Sequence, residues 1–222
     1  MYDLSKISEH RDWKLKTLLS DEVGSVLKEF EDKLQALSSY VDVLKIRTAL
    51  DYALKQDYGS GELVKFYVTH PVRVASFIMD WMLYYKDYSS DLVVASLIHN
   101  VIEKDILTEE ELEKMYGNWM RKTIVVLTQD REALKDPKEK EKYYERIYAL
   151  DKYGQLIKFF DKFDNLYAIC LNPSDATRTQ YIQEIKDKVR VIAEKFSPIT
   201  LPYFDALVHE MIKFGHYHPV FK

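Results

Sequence analysis

The sequence predicts an all-α fold, a helical bundle formed by a single domain. Apolar residues recur at spacings of three and four nearly throughout, as between Val23 and Leu37, and this period is typical of helices with one buried face. Strict alternation over five or more residues, which would favour strands, is hard to find. Only six Gly and six Pro occur in 222 residues, so we expect few turns and long helices.

Helix boundaries follow from the residues between the apolar stretches. Pro71 fits the first turn of a helix, where its missing N–H costs nothing. Thr108, with Glu111 three residues later, predicts a capping box. The segment 172–175 separates two long helices, and a Gly-rich linker leads into a predicted extended segment over 67–69. The predicted helices are 21–38, 43–57, 71–87, 90–103, 108–116, 118–128, 138–150, 154–171, 175–196 and 200–215.

Neither an internal repeat nor a low-complexity segment is evident in the chain. Residues 1–40 carry none of the chemistry described below. We therefore expect them to form an N-terminal helical extension that packs on a domain of residues 41–222.

Charge and composition argue against several classes of protein. Thirty-two Lys and Arg are interleaved with thirty-six Asp and Glu, a net charge of -4, and this disfavours a nucleic-acid binder. No apolar run approaches the roughly 18 residues of a membrane span, and the opening residues lack the pattern of a secretory signal. The single cysteine, Cys170, suits a reducing compartment. A cytoplasmic protein is the expectation.

Polar residues interrupt apolar helices at two places. His99 and Asn100 break the apolar segment 92–102, and a buried polar group that lacks a partner costs about 1 to 3 kcal/mol. Glu103 lies one turn after His99, so we expect it to face the same cavity. Asp161, which is flanked by phenylalanines, shares a helical face with Asn165 one turn later. These interruptions mark candidate functional positions.

A mixed nitrogen and oxygen metal site is the chemistry that these residue types favour. The imidazoles of His70 and His99, the Asp161 carboxylate and a side-chain carbonyl oxygen would come from three helices. Such a set suits Mn²⁺, Fe²⁺ or Zn²⁺ and leaves positions open for water. For the charged residues around Asp161, namely Lys158, Lys162 and Asp164, the favoured interpretation is the solvated face of an amphipathic helix.

Three sequence blocks carry a resemblance to a known family. They are YVTHPVRVASFI at 67–78, SLIHNVIEK at 96–104 and QLIKFFDKFDNLYAI at 155–169. In this order they resemble the HD-domain hydrolases, and within them the alarmone hydrolase domain of the RelA/SpoT family, especially its small stand-alone members. The resemblance covers roughly residues 43–195.

The resemblance implies an HD-type helical bundle with one divalent cation, typically Mn²⁺. His70, His99, residue 100 and Asp161 would be its ligands. Members of the family use the metal to activate a water that removes the 3′-pyrophosphate from guanosine tetra- or pentaphosphate. A small-molecule nucleotide is therefore the expected partner, with neither nucleic acid nor membrane.

The resemblance also implies roles for residues around the metal. Glu103 would position or deprotonate the water, Asn165 would meet the ribose, and Tyr67 would line the pocket wall. The lysines that could neutralise substrate phosphates are Lys65, Lys104 and Lys158.

Two positions depart from the family pattern. Asn100 replaces the aspartate of the family's His-Asp pair, so the site loses a negative charge, and Lys104 replaces the second acid of its Glu-Asp pair. These changes leave open a weakened HD module that binds a nucleotide or a protein without turnover. An Asp-to-Asn replacement made to trap substrate, and a purely structural helical protein, are the other interpretations. The oligomeric state is not predicted.

Overall fold

The computed structural model describes residues 3–19, 23–57 and 68–217. Within those ranges the chain is helical and contains no strand, which confirms the predicted all-α class. The α-helices are α1 (Ile7–Leu19), α2 (Val23–Leu37), α3 (Val43–Lys55), α4 (Thr69–Tyr85), α5 (Ser90–Ile98), α6 (Glu109–Tyr116), α7 (Asn118–Leu127), α8 (Pro137–Ala149), α9 (Lys152–Ala168), α10 (Asp175–Glu184), α11 (Arg190–Phe196) and α12 (Leu201–Phe214).

Helix α9 lies at the centre of the bundle. It contacts seven other described α-helices, namely α1, α4, α5, α7, α8, α11 and α12. Phe159, Phe160 and Phe163 are fully buried along it, and the ring of Phe77 in α4 lies 5.0 Å from that of Phe163. Aromatic side chains bury large apolar areas, so this cluster fixes α4 against α9. That contact sets the distance between residues at the start of α4 and residues in α9.

The N-terminal helices pack directly on this core. Helix α2 lies along α4, and α1 contacts both α9 and α12. Helix α1 lies outside the ten helical ranges that the periodicity predicted, because its apolar residues do not form one continuous stripe. The division of the chain at residue 40 remains a prediction.

The predicted helix over 90–103 is too long, because α5 ends at Ile98. His99 Nδ1 lies 2.6 Å from the carbonyl oxygen of Ser96, which is the acceptor that a continuing helix would use for the N–H of Asn100. A series of turns follows, and Asp105 adopts a positive φ of 55° there. The turns carry His99 to Lys104 to one end of the bundle.

One other boundary prediction is wrong. The predicted extended segment over 67–69 is not extended where it is described, because Val68 has helical angles and Thr69 begins α4. Pro71 sits in the first turn, as predicted, where its lack of an N–H is harmless. The predicted bounds of 175–196 are confirmed, because α10 begins at Asp175, α11 ends at Phe196 and a π-helical turn, Ile185–Val189, joins them. None of the described helices is long and apolar enough to cross a bilayer.

The predicted capping box at the start of α6 is confirmed. The Glu111 N–H donates to Thr108 Oγ1 at 3.3 Å, and the Thr108 N–H donates to Glu111 Oε2 at 2.9 Å. We expect Thr108→Ala to lower the free energy of unfolding by about 1 kcal/mol, since the backbone N–H of Glu111 loses its acceptor. Chemical denaturation measures this. Thr48→Ala is the control, because Thr48 is an exposed mid-helix residue whose hydroxyl only donates to the Leu44 carbonyl.

Candidate metal centre

Three side chains that are far apart in sequence converge at one site, two of them from helices and one from the turn after a helix. His70 lies in the first turn of α4, His99 follows the last residue of α5, and Asp161 lies in α9. One ligand atom from each lies within 4.8 Å of the others. Asp161 Oδ1 is 3.3 Å from His70 Nε2 and 3.9 Å from His99 Nε2. The structure therefore brings together three of the four predicted ligands in a compact group.

His99 has the form that a metal ligand requires. A carbonyl oxygen only accepts hydrogen bonds, so the contact with Ser96 places the ring proton on Nδ1 and leaves a lone pair on Nε2. Burial lowers the pKa of His99 to about 4, so the ring is neutral. Among the described residues, no group hydrogen-bonds to the buried Nε2. A buried acceptor left without a partner is costly, and a bound cation would satisfy it.

The donor set fits a divalent ion. Two donors about 2.1 Å from one ion stand about 3.0 to 3.4 Å apart at octahedral or tetrahedral angles. The separation of His70 Nε2 from Asp161 Oδ1 falls in that range, and that of His99 Nε2 from Asp161 Oδ1 is half an ångström longer. Two imidazoles and one carboxylate suit Mn²⁺, Fe²⁺ or Zn²⁺ and do not distinguish among them.

Asp161 stays ionised although it is buried. Its Oδ2 accepts from Lys158 Nζ at 3.0 Å, and its Oδ1 accepts from Asn165 Nδ2 at 2.7 Å. Burial by itself raises the pKa of Asp161, but the neighbouring Lys158 ammonium holds that pKa well below its ordinary value. The carboxylate is thus ready to bind a cation, and Lys158 acts as its counter-ion in the absence of one.

The solvated-face interpretation of Lys158, Lys162 and Asp164 is wrong. All three side chains are buried, with no more than 8% exposed. Lys162 pairs with Glu184 of α10 at 3.2 Å. Burial is tolerated because each charge finds an opposite charge on another turn or another helix. Lys158 faces the cavity as predicted, while its part in substrate binding remains a prediction.

Asp164 forms the support behind His70. His70 Nδ1 donates to Asp164 Oδ2 at 2.9 Å. Arg73, one turn after His70, donates from Nε and Nη2 to the two Asp164 oxygens at 2.8 Å each. Burial tends to raise the pKa of Asp164, but the Arg73 guanidinium and the hydrogen bond from His70 hold it far below its ordinary value. Sequence reasoning missed this network, although Asp164 follows Asp161 at the i+3 spacing of one helical face.

The three converging side chains line a cavity of about 110 Å³. Asn100 and Glu103 also line it, as does Asn165, so the cavity collects predicted site residues from α4, from the turns after α5 and from α9. Asn100 is 9% exposed. Lys104 lies half-buried in the same turns. It is not among the described residues that line this cavity. Lys65 and Tyr67, which the sequence also places at the site, lie outside the described residues.

A larger cleft of about 670 Å³ adjoins the cavity. Gln129, Arg131, Lys162 and Asn165 line both spaces, so they form the boundary between them. Arg131 is 74% exposed, and its Nη2 lies 2.8 Å from Oε1 of the largely buried Glu103. Sequence reasoning missed Gln129 and Arg131 because they lie in the irregular segment after α7, where no periodicity gives a signal.

The chain has distant relatives among known proteins. No family model matches it. It is 27% identical over 194 residues to the bifunctional (p)ppGpp synthase/hydrolase SpoT of Escherichia coli (strain K12), an alignment that covers 82% of this chain and 24% of that protein. The same figures hold for guanosine-3′,5′-bis(diphosphate) 3′-pyrophosphohydrolases of Escherichia coli O157:H7 and Shigella flexneri. The chain thus spans about a quarter of the length of these curated relatives and is related to RelA/SpoT-type hydrolases.

Proposed function

We propose that the protein is an HD-type, metal-dependent phosphohydrolase that removes pyrophosphate or phosphate from a nucleotide. The observation that carries the proposal is the convergence of His70, His99 and Asp161 beside an open cleft, with His99 Nε2 buried and unsatisfied among the described residues. Because the named relatives act on guanosine bis(diphosphate), a (p)ppGpp-type alarmone 3′-pyrophosphohydrolase is the specific form that we propose.

His70, His99 and Asp161 would hold the cation, with Asn100 at the edge of the same cavity. A divalent ion, Mn²⁺ by preference or Fe²⁺ or Zn²⁺, lowers the pKa of bound water and neutralises charge that develops on phosphoryl oxygens. Asp161 supplies the negative charge, and the neutral His99 ring supplies a lone pair without a proton to displace.

Glu103 is the group that would orient the attacking water. Its carboxylate lines the cavity and faces Arg131, so it presents acceptor oxygens next to the metal ligands. In this proposal it accepts a hydrogen bond from the water and receives its proton, while Lys104 and Lys158 are the cations near the departing phosphates.

The adjoining cleft would receive the nucleotide. Its volume of about 670 Å³ lies within the range of about 300 to 1,000 Å³ typical of small-molecule sites. Arg131 and Lys162 stand where the cleft meets the metal cavity, and a phosphate that bridges the two spaces would contact both. Asn165 lines the same boundary, where it would contact the ribose. A cytoplasmic location belongs to this proposal as well.

The direct test is release of phosphate and pyrophosphate from a panel of nucleotides. The panel holds guanosine and adenosine 5′-di- and triphosphates and their 3′-pyrophosphorylated forms, each with Mn²⁺ and with chelator, and products are separated by ion-exchange chromatography. We expect Mn²⁺-dependent pyrophosphate release from a 3′-pyrophosphorylated guanosine nucleotide. Absence of release from every nucleotide, in the chain and in its Asn100→Asp variant, would contradict the proposal.

A second candidate function is nucleotide binding without turnover. The neutral Asn100 in the metal cavity favours it. With Asn100 the site has one carboxylate ligand, whereas the HD-domain hydrolases that the sequence resembles have two. Calorimetry of nucleotide binding with and without Mn²⁺ separates the two functions. Binding with no product in the chromatographic assay would favour this second function.

We expect Arg131→Met to raise the KM for a phosphorylated nucleotide about tenfold or more. Loss of one charge-assisted hydrogen bond to a phosphate costs about 1.5 to 3 kcal/mol, and the methionine retains the apolar stem. Arg47→Met is the matched control, since Arg47 is an exposed arginine that pairs with Glu31 at 2.7 Å away from both cavities. Steady-state kinetics on the two variants measures the difference. An unchanged KM in Arg131→Met would remove Arg131 from the substrate site.

A further inference from the structure

A buried ion network lies behind His70, on the side away from Asp161. Asp164 is at its centre and accepts from His70 Nδ1 at 2.9 Å. Both Asp164 oxygens also accept from the Arg73 guanidinium, at 2.8 Å each. The Asp164 and Arg73 side chains are 1% and 2% exposed, so water does not compete for these bonds.

The two-pronged contact with Arg73 fixes the orientation of Asp164. A guanidinium that binds both carboxylate oxygens restricts rotation of the carboxylate about its last bond. The acceptor for His70 Nδ1 is therefore held in one direction, and His70 Nε2 points to Asp161 at 3.3 Å. A carboxylate that receives the second ring proton of a ligating histidine orients the ring and raises its basicity as a ligand.

A second cation reaches Asp164 from the N-terminal helix. Lys14 lies in α1, and its Nζ is 3.8 Å from Asp164 Oδ1. The Lys14 side chain is only 6% exposed, and its ammonium lies over the Phe77 ring at 4.4 Å from the ring centroid. Burial lowers the pKa of Lys14 to about 7, so below that pH two buried cations share one carboxylate. Arg73 already holds that carboxylate in place, so the additional effect of Lys14 is on its charge.

We infer that Asp164 is a positioning residue that orients His70 for a metal ion, and that Lys14 of α1 weakens metal binding by partly neutralising Asp164. The inference rests on the proposed metal site. It makes the N-terminal helix, to which sequence reasoning assigned no chemistry, part of the outer sphere of that site. A positive charge in a medium of low dielectric constant opposes a nearby cation, so the sign of the Lys14 effect is defined.

The test measures Mn²⁺ affinity of the full chain by titration calorimetry at a pH below 7, where Lys14 is protonated. We expect Asp164→Asn to weaken Mn²⁺ binding about 10- to 100-fold, which is the loss typical of an outer-sphere partner. We expect Lys14→Met to tighten Mn²⁺ binding several-fold, because the cation is removed while the length of the side chain is kept. The matched control is Lys16→Met, an exposed lysine of the same helix, which should leave the affinity unchanged.

A double variant guards against loss of folding. Asp164→Asn leaves Arg73 and Lys14 without their shared counter-ion, so its unfolding temperature should fall. Lys14→Met in the same chain removes one of the two excess charges and should recover part of that loss. The double variant should still bind Mn²⁺ about tenfold or more weakly than Lys14→Met alone, which a purely structural role for Asp164 would not produce.

Three outcomes are decisive against the inference. Wild-type affinity in Asp164→Asn, or weaker binding in Lys14→Met, would overturn it and leave the metal site standing. A wild-type chain that binds no Mn²⁺ would overturn both the inference and the proposed function. Visible absorption of the Co²⁺-loaded chain gives an independent readout, since a reoriented His70 should alter the ligand-field bands in Asp164→Asn but not in Lys16→Met.

Discussion

Replacing His99 with alanine is expected to abolish metal binding and nucleotide hydrolysis together. His99 supplies the buried lone pair that the described residues leave unsatisfied, and no other described imidazole lies at the cavity except His70. Removal of a direct ligand should weaken Mn²⁺ binding by more than the roughly 10- to 100-fold that is typical when an outer-sphere partner is removed. Elemental analysis of the freshly purified chain and titration calorimetry with Mn²⁺ measure the effect.

The control for this prediction is His209→Ala. His209 is an exposed histidine of α12 that lies outside the metal cavity, so its loss should leave metal content and turnover unchanged. His99→Ala should still fold, because it removes an unsatisfied buried acceptor along with the ring. Stoichiometric metal in wild type that is lost in His99→Ala would exclude a purely structural protein. Metal content unaffected by this substitution would disprove the ligand set.

Periodicity predicts the helices of this chain well and their ends less well. A stripe of apolar residues at i, i+3 and i+4 suffices for α2, which buries one face against the core. Helices α4 and α9 are recognised from their many apolar residues, although they are buried on nearly all sides. Periodicity fails for α1, whose buried surface includes Arg11, Lys14 and Thr17 as well as apolar residues. The end of α5 was missed because it depends on a side-chain contact, that of His99 with the Ser96 carbonyl.

The predicted ligands and the missed network differ in the kind of signal that they leave in a sequence. His99 and Asp161 stand out because they are polar residues among apolar neighbours. Asp164 does not, because it is one of several charges in alternation with phenylalanines, a pattern that equally describes a solvated helix face. Its burial depends on Arg73 and Lys14, which are 91 and 150 residues away in sequence, and only the packing of α1 and α4 on α9 reveals them.

Placing a carboxylate at position 100 is expected to strengthen metal binding. Asn100 lines the cavity of His70, His99 and Asp161, and Asn100→Asp adds a negative charge there at nearly constant volume. We expect Mn²⁺ to bind about tenfold or more tightly, which corresponds to about 1.4 kcal/mol or more. Without metal the variant should unfold at a lower temperature, since a second carboxylate is buried beside Asp161. At saturating Mn²⁺ the variant should instead unfold at a higher temperature than the wild-type chain, because the ion binds and stabilises only the folded state.

Asn118→Asp is the matched control for charge. Asn118 is exposed at the start of α7, so this variant has the same net charge as Asn100→Asp but no change in the metal cavity. The two readouts also separate the candidate functions. A rise in both Mn²⁺ affinity and turnover in Asn100→Asp would identify a hydrolase limited by its metal, whereas tighter binding without turnover would favour a nucleotide-binding module. Equal Mn²⁺ affinity in the two variants would show that the side chain at position 100 does not reach the ion. An aspartate carboxylate close to the ion would attract it and raise the affinity of Asn100→Asp above that of the control.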